Sequence, residues 1–132
     1  MTFAEIQDAV IAMAQKDTSL PIVSGALLVN DSISLTYSYG APIETFRTRA
    51  DNYRMGVTLN GKSLDQRLIL DELTKIHKHL TRAYNYPSSD EWQVYAIETE
   101  APPTYLGRQD DGHWLYGSSL NIKFYWRNLN AE

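Results

Sequence analysis

Near the start of the chain, "TFAEIQDAVIAMAQK" places Phe3, Ile6, Val10, Ile11 and Met13 at helical spacing, with Thr2 and Glu5 in a capping arrangement. A short amphipathic helix is expected, ending before Pro21. The period then drops to two. In "IVSGALLVNDSISLTYSYG", Ile33, Leu35 and Tyr37 alternate with Ser32, Ser34, Thr36 and Ser38. Asn30-Asp31 offers turn chemistry between two apolar runs, so a hairpin with one wet face is expected. Residues 39–52, "YGAPIETFRTRADN", keep no period and contain Gly40 and Pro42. They read as a long loop or irregular edge, and long loops in small domains are usually functional or interfacial.

"YRMGVTL" alternates Tyr53, Met55, Val57 and Leu59 against Arg54, Gly56 and Thr58, the period of a half-buried strand that Asn60-Gly61 would end. Beyond it, Leu64, Leu68, Ile69, Leu73, Ile76 and Leu80 mark one face of a long helix. Ser63 suits its N-cap with Gln66 three residues on, and Asp65 falls in the first turn. Lys75, Lys78, His79 and Arg82 complement the carboxyl end. Burying such side chains contributes roughly 1.5 to 3 kcal/mol each before entropy is subtracted, so this helix should lie on a sheet.

Pro87 breaks the helical pattern, and "WQVYAIETE" has the aromatic and β-branched content of a strand. Pro102-Pro103 cannot continue a central ladder. "TYLGRQ", a turn at "DDG" and the alternating run "HWLYGSSLNIKFYWR" predict a closing hairpin. The pattern as a whole predicts an α+β fold, an antiparallel or mixed sheet with two main helices packed against it.

Composition narrows the function. At 132 residues with 43% apolar content, the chain suits a single domain over 1–132. There is no cysteine, which excludes disulfides, thiolate catalysis and cysteine-ligated metal. The start lacks the pattern of a signal peptide and no stretch has the length of a membrane span, so a cytosolic, soluble protein without membrane contact is expected. A net charge of −4 has the wrong sign for holding nucleic acid by phosphate neutralisation. Arg47, Arg49 and Arg54 fall close together, but a solvated or interface-forming loop is the simpler reading.

The stretch 56–63, "GVTLNGKS", spells a phosphate-binding loop, G-x-x-x-x-G-K-[ST]. Its setting argues otherwise. A genuine loop follows a buried apolar parallel strand, whereas "RTRADNYRM" is polar and Val57 to Leu59 continue a period-two pattern. His77 and His79 are two apart on a helix and point to different faces, and His113 stands beside a turn, so no metal site is indicated. Asp110 and Asp111 read as turn residues before Gly112, and no serine has the setting of a nucleophile elbow. Neither catalytic residues nor a cofactor is expected. The nine tyrosines and three tryptophans suit a small core or a protein interface.

From about residue 45 to 127 the chain resembles the minor capsid and tail-terminator proteins of long-tailed bacteriophages. The stretches that carry this are "YRMGVTLNGKSLDQRLILDELTKIHKHL", a strand running straight into a long helix, and "YLGRQDDGHWLYGSSLNIKFYW", a segment, acidic-glycine turn and final aromatic strand. The first 44 residues match in kind only. The resemblance implies a structural protein without enzymatic activity that forms a ring, a hexamer, on the head-proximal end of the tail tube. It further implies the major tail tube protein and a head-neck connector protein as partners, DNA only in transit, and a place in the virion after assembly in the host cytoplasm.

A ring protein needs directional contacts between copies, and two charged segments offer them: Phe46, Arg47 and Arg49, and Arg108, Asp110 and Asp111. A head-completion or other neck protein is the nearest rival. The rival of another class is a small ligand-binding domain or enzyme that gathers residues such as Glu98, Tyr105 and His113. A pocket with converging, pKa-shifted groups would favour it, and flat charged surfaces and extended strands would favour the ring.

Overall fold

The computed structural model describes residues 3–45 and 50–127. Their order is α1 (Phe3–Gln15), β1 (Ile22–Val23), β2 (Ser32–Thr45), β3 (Ala50–Ser63), α2 (Gln66–Thr81), β4 (Trp92–Arg108) and β5 (Trp114–Arg127). The strands form one sheet in the order β1-β2-β3-β5-β4, with β1 parallel to β2 and every other pair antiparallel. This is the expected α+β fold with a mixed sheet.

Both helices cover the same face of the sheet. From α2, Ile69, Leu73, Ile76 and Leu80 are fully buried against Met55, Val57 and Leu59 of β3 and Leu120, Ile122 and Phe124 of β5. From α1, Ile6, Val10 and Ala14 join the same core, and Phe3 packs among Tyr37, Tyr53, Phe124 and Trp126. Gly61 lies beneath α2, where a Cβ would come within 2.5 Å of Ile69 Cδ1. Only glycine lets the helix sit this low.

Several sequence expectations need correction. Residues 22–38 form no hairpin, because β1 runs parallel to β2. Gln15, in the last turn of α1, donates to Leu20 O at 2.8 Å and accepts from Ile22 N at 2.8 Å, which fixes the direction of that short strand. Asn30 and Asp31 do lie in a bend, but it leads into β2 without closing a hairpin, and Asp31 accepts from Ser63 Oγ at 2.7 Å and Leu64 N at 3.2 Å. The serine face of β2 is not wet at its start, where Ser32 and Ser34 are buried.

The stretch read as a loop is largely strand. β2 continues to Thr45 and β3 begins at Ala50, with irregular register near Pro42. Pairing with β5, Ala50 opposite Arg127, supplies ladder bonds that local sequence does not reveal. Asn60-Gly61 likewise remains inside β3. The N-cap of α2 is Asp65, whose carboxylate accepts from Arg67 N and Leu68 N, while Ser63 Oγ accepts from Asp65 N one step earlier. Leu64 and Leu68 are exposed, and Glu72 and His77 take buried places on α2 instead. Thr2, Phe46, Arg47 and Arg49 lie outside the described residues.

Candidate assembly surfaces

β4 changes character halfway. Trp92, Val94 and Ile97 are buried, but from Glu98 to Arg108 every residue except the half-buried Pro103 and Gly107 is exposed, on both faces of the strand. Tyr105 and Leu106 are apolar side chains left 52% and 60% exposed on this outer half. Tyr105 touches Trp114 and Tyr116 with ring centroids 6.0 and 5.8 Å away. β4 is also the edge of the sheet, with repeated register shifts against β5. Pro102 and Pro103 carry no N–H, so the edge is poorly suited to accept another strand, and contacts here must run through side chains.

The β4–β5 connection holds the second charged segment. Gly112 (φ +95°) supplies the left-handed turn residue, and its N–H donates to Gln109 O at 2.9 Å. The Arg108 guanidinium lies 4.6 Å over the Trp114 ring and its Nε donates to Gly112 O at 3.3 Å. Asp111 Oδ1 accepts from His113 N at 3.1 Å and lies 2.8 Å from His113 Nδ1. The His113 side chain, and then its backbone N–H, hold the Asp111 carboxyl below its ordinary range. On its far side, His113 Nε2 faces Asp31 Oδ1 at 3.2 Å, so a buried imidazole ties the turn to the β3–α2 junction.

The three predicted residues therefore differ in what they have left to offer. Arg108 and Asp111 shape the turn they belong to. Asp110 is exposed and makes no ion pair among the described residues. Phe46, Arg47 and Arg49 are outside the described residues, but the strand ends that flank them, Thr45 and Ala50, lie opposite the β4–β5 turn. A strand of 14 residues such as β3 spans roughly 45 Å, so the two segments are attached at opposite ends of the sheet.

The residues named for an enzyme do not converge. Glu98 pairs across to Asn121 and Tyr105 to Tyr116, seven residues apart on β4, or roughly 23 Å. Glu98 is engaged by Lys123, whose ammonium it holds above its usual range. A Ser–His pair that sequence reading missed lies under α2, with His77 Nε2 2.7 Å from Ser118 Oγ and Nδ1 2.9 Å from Thr99 Oγ1. Both His77 and Ser118 are buried, and burial pushes the His77 pKa down, so the neutral imidazole bridges α2 to β4 and β5. Ser118 Oγ also lies 3.5 Å from Leu59 O.

No helix among the described residues is long and apolar enough to cross a membrane. Compared with known proteins, the chain matches no family model and no curated sequence.

Proposed function

We propose that the chain is a structural assembly protein of the neck of a long-tailed phage, a tail terminator that closes the head-proximal end of the tail tube as a ring of six copies. Its partners are further copies of itself, the major tail tube protein and a head-neck connector protein. DNA passes through the channel without being held, which a net charge of −4 favours by repelling phosphate.

The observation that carries this reading is the outer half of β4. Ordering a residue costs roughly 1 to 2 kcal/mol of backbone entropy, and residues 98–108 recover little of that by burial within one chain. A strand half that is largely exposed on both faces and carries two exposed apolar side chains fits a surface that a neighbour covers. The resemblance of residues 45–127 to tail terminators supplies the kind of assembly.

The test is electron microscopy of particles produced after the gene is disrupted in the phage or prophage that carries it. Tubes of uncontrolled length beside unattached filled heads are expected. Tails of normal length that fail to join heads would make the protein a head-completion or other neck component. Intact infectious particles would remove it from the neck.

A further inference from the structure

The carboxyl ends of α1 and α2 frame an open groove of about 670 Å³. Met13 lines it from α1 and Lys16 from the turn just after that helix, Lys75 and Lys78 from α2, and Arg82 and Tyr84 from the segment that follows. Four of the chain's twelve lysines and arginines thus surround one hollow. Two carboxylates stand nearby: Glu72, 3.3 Å from Lys75, and Asp17, 3.0 Å from His79 Nδ1. Four lysines and arginines thus face two carboxylates, in a chain whose net charge is −4.

Lys16, Lys78 and Arg82 are exposed and make no ion pair among the described residues. Cations near the end of α2 complement its terminal carbonyls, which accounts for Lys78 and His79. It does not account for Lys16 facing them from the turn after α1 across a hollow rimmed by the fully exposed Tyr84.

At the other end of α2, which at 16 residues is roughly 24 Å long, the carboxylates Asp31, Asp65, Asp71, Asp110 and Asp111 outnumber the cations Lys62, Arg67 and Arg108. Asp65 caps that end, Asp71 lies on its amino-terminal half, and the turn bearing Asp110 and Asp111 is tied to it through His113 and Asp31. We infer that the Asp110–Asp111 turn of one copy seats in the Lys16, Lys78 and Arg82 groove of the next. The two patches differ and lie at opposite ends, so the contact is head-to-tail and propagates into a ring when its rotation closes. Tyr105 and Leu106, just behind the turn, then meet the apolar rim formed by Met13 and Tyr84. Complementary charge sets the register of this contact and these side chains supply its apolar part.

This contact rests on the ring reading above, and the test separates the two. Because the chain has no cysteine, Lys78→Cys/Asp110→Cys creates the only thiols. They are too far apart to join within one copy, since a disulfide needs Cα atoms within about 7 Å. Mild oxidation should give a ladder of covalent oligomers ending at the ring, while each single variant gives dimers at most. A second arm reverses charge: Lys78→Glu and Asp110→Lys each abolish assembly in native mass spectrometry, and Lys78→Glu/Asp110→Lys in one chain restores it. Rings of wild-type protein without the ladder or the restoration would overturn this contact and leave the ring. Wild-type protein that stays single-copy, even with tail tubes added, would overturn both. A groove that takes up free phosphate or an acidic segment of another protein, with rings insensitive to both reversals, would also overturn it.

Discussion

The two halves of β4 have much the same sheet partner and very different shelter. Residues 92–97 place Trp92, Val94 and Ile97 in the core, whereas residues 98–108 pair with β5 through three register shifts and, apart from the His77 contact at Thr99, stay largely exposed. Burial separates the halves more sharply than pairing does, although the outer half is also the more irregularly paired. The inner half belongs to a core that one chain completes by itself; the outer half is organised by the same ladder but leaves its apolar area in water.

Breaking the sheltered side should have the largest effect. Ile76→Ala removes a fully buried side chain between α2 and the sheet and is expected to cost about 2 to 5 kcal/mol by denaturant unfolding. Gly61→Ala drives a methyl group against Ile69 Cδ1 at 2.5 Å and should cost about 1 to 3 kcal/mol. A loss below 0.5 kcal/mol at either position would mean that α2 is not packed as described.

The buried His77 gives the sheltered side a pH signature. Its folded pKa is lowered from 6.5 by burial, so between the folded value and 6.5 the unfolded chain binds the proton more readily. The stability that comes from keeping His77 neutral is therefore complete above pH 6.5 and falls as pH drops below it. His77→Gln should flatten this part of the stability profile. An unchanged slope would assign the pH dependence to other groups.

The smallest effect on folding is expected on the bare side. Leu106→Glu should shift monomer stability by no more than about 0.5 kcal/mol, as surface substitutions usually do, and yet abolish assembly in native mass spectrometry. If the variant assembles normally, the apolar part of the contact lies elsewhere.

Legibility in the sequence follows the same division. The face of α2 from Ile69 to Leu80 and the alternation from Tyr53 to Leu59 are visible because their own core imposes the period. Leu64 and Leu68 mislead because apolar identity alone does not reveal that Leu64 precedes the helix and that Leu68 is left exposed beside the buried Ile69. The parallel set of β1 depends on the Gln15 side chain, and the extension of β2 and β3 depends on β5, more than sixty residues away. The turn at Asp111-Gly112 is local chemistry and can be read directly. The basic groove cannot, because Lys16 joins Lys75, Lys78 and Arg82 only when α1 and α2 are brought together. Nor does "ETEAPPTYLGR" announce a strand largely exposed on both faces; it lacks the alternation of a half-buried strand, and the same irregularity suits a loop.

The central claim is that the outer half of β4 is an interface, and amide hydrogen exchange at protein concentrations below and above assembly tests it most directly. The account predicts that residues 92–97 exchange slowly in both conditions and that residues 98–108 gain protection only in the assembly. Oligomers that form while residues 98–108 exchange at an unchanged rate would contradict it.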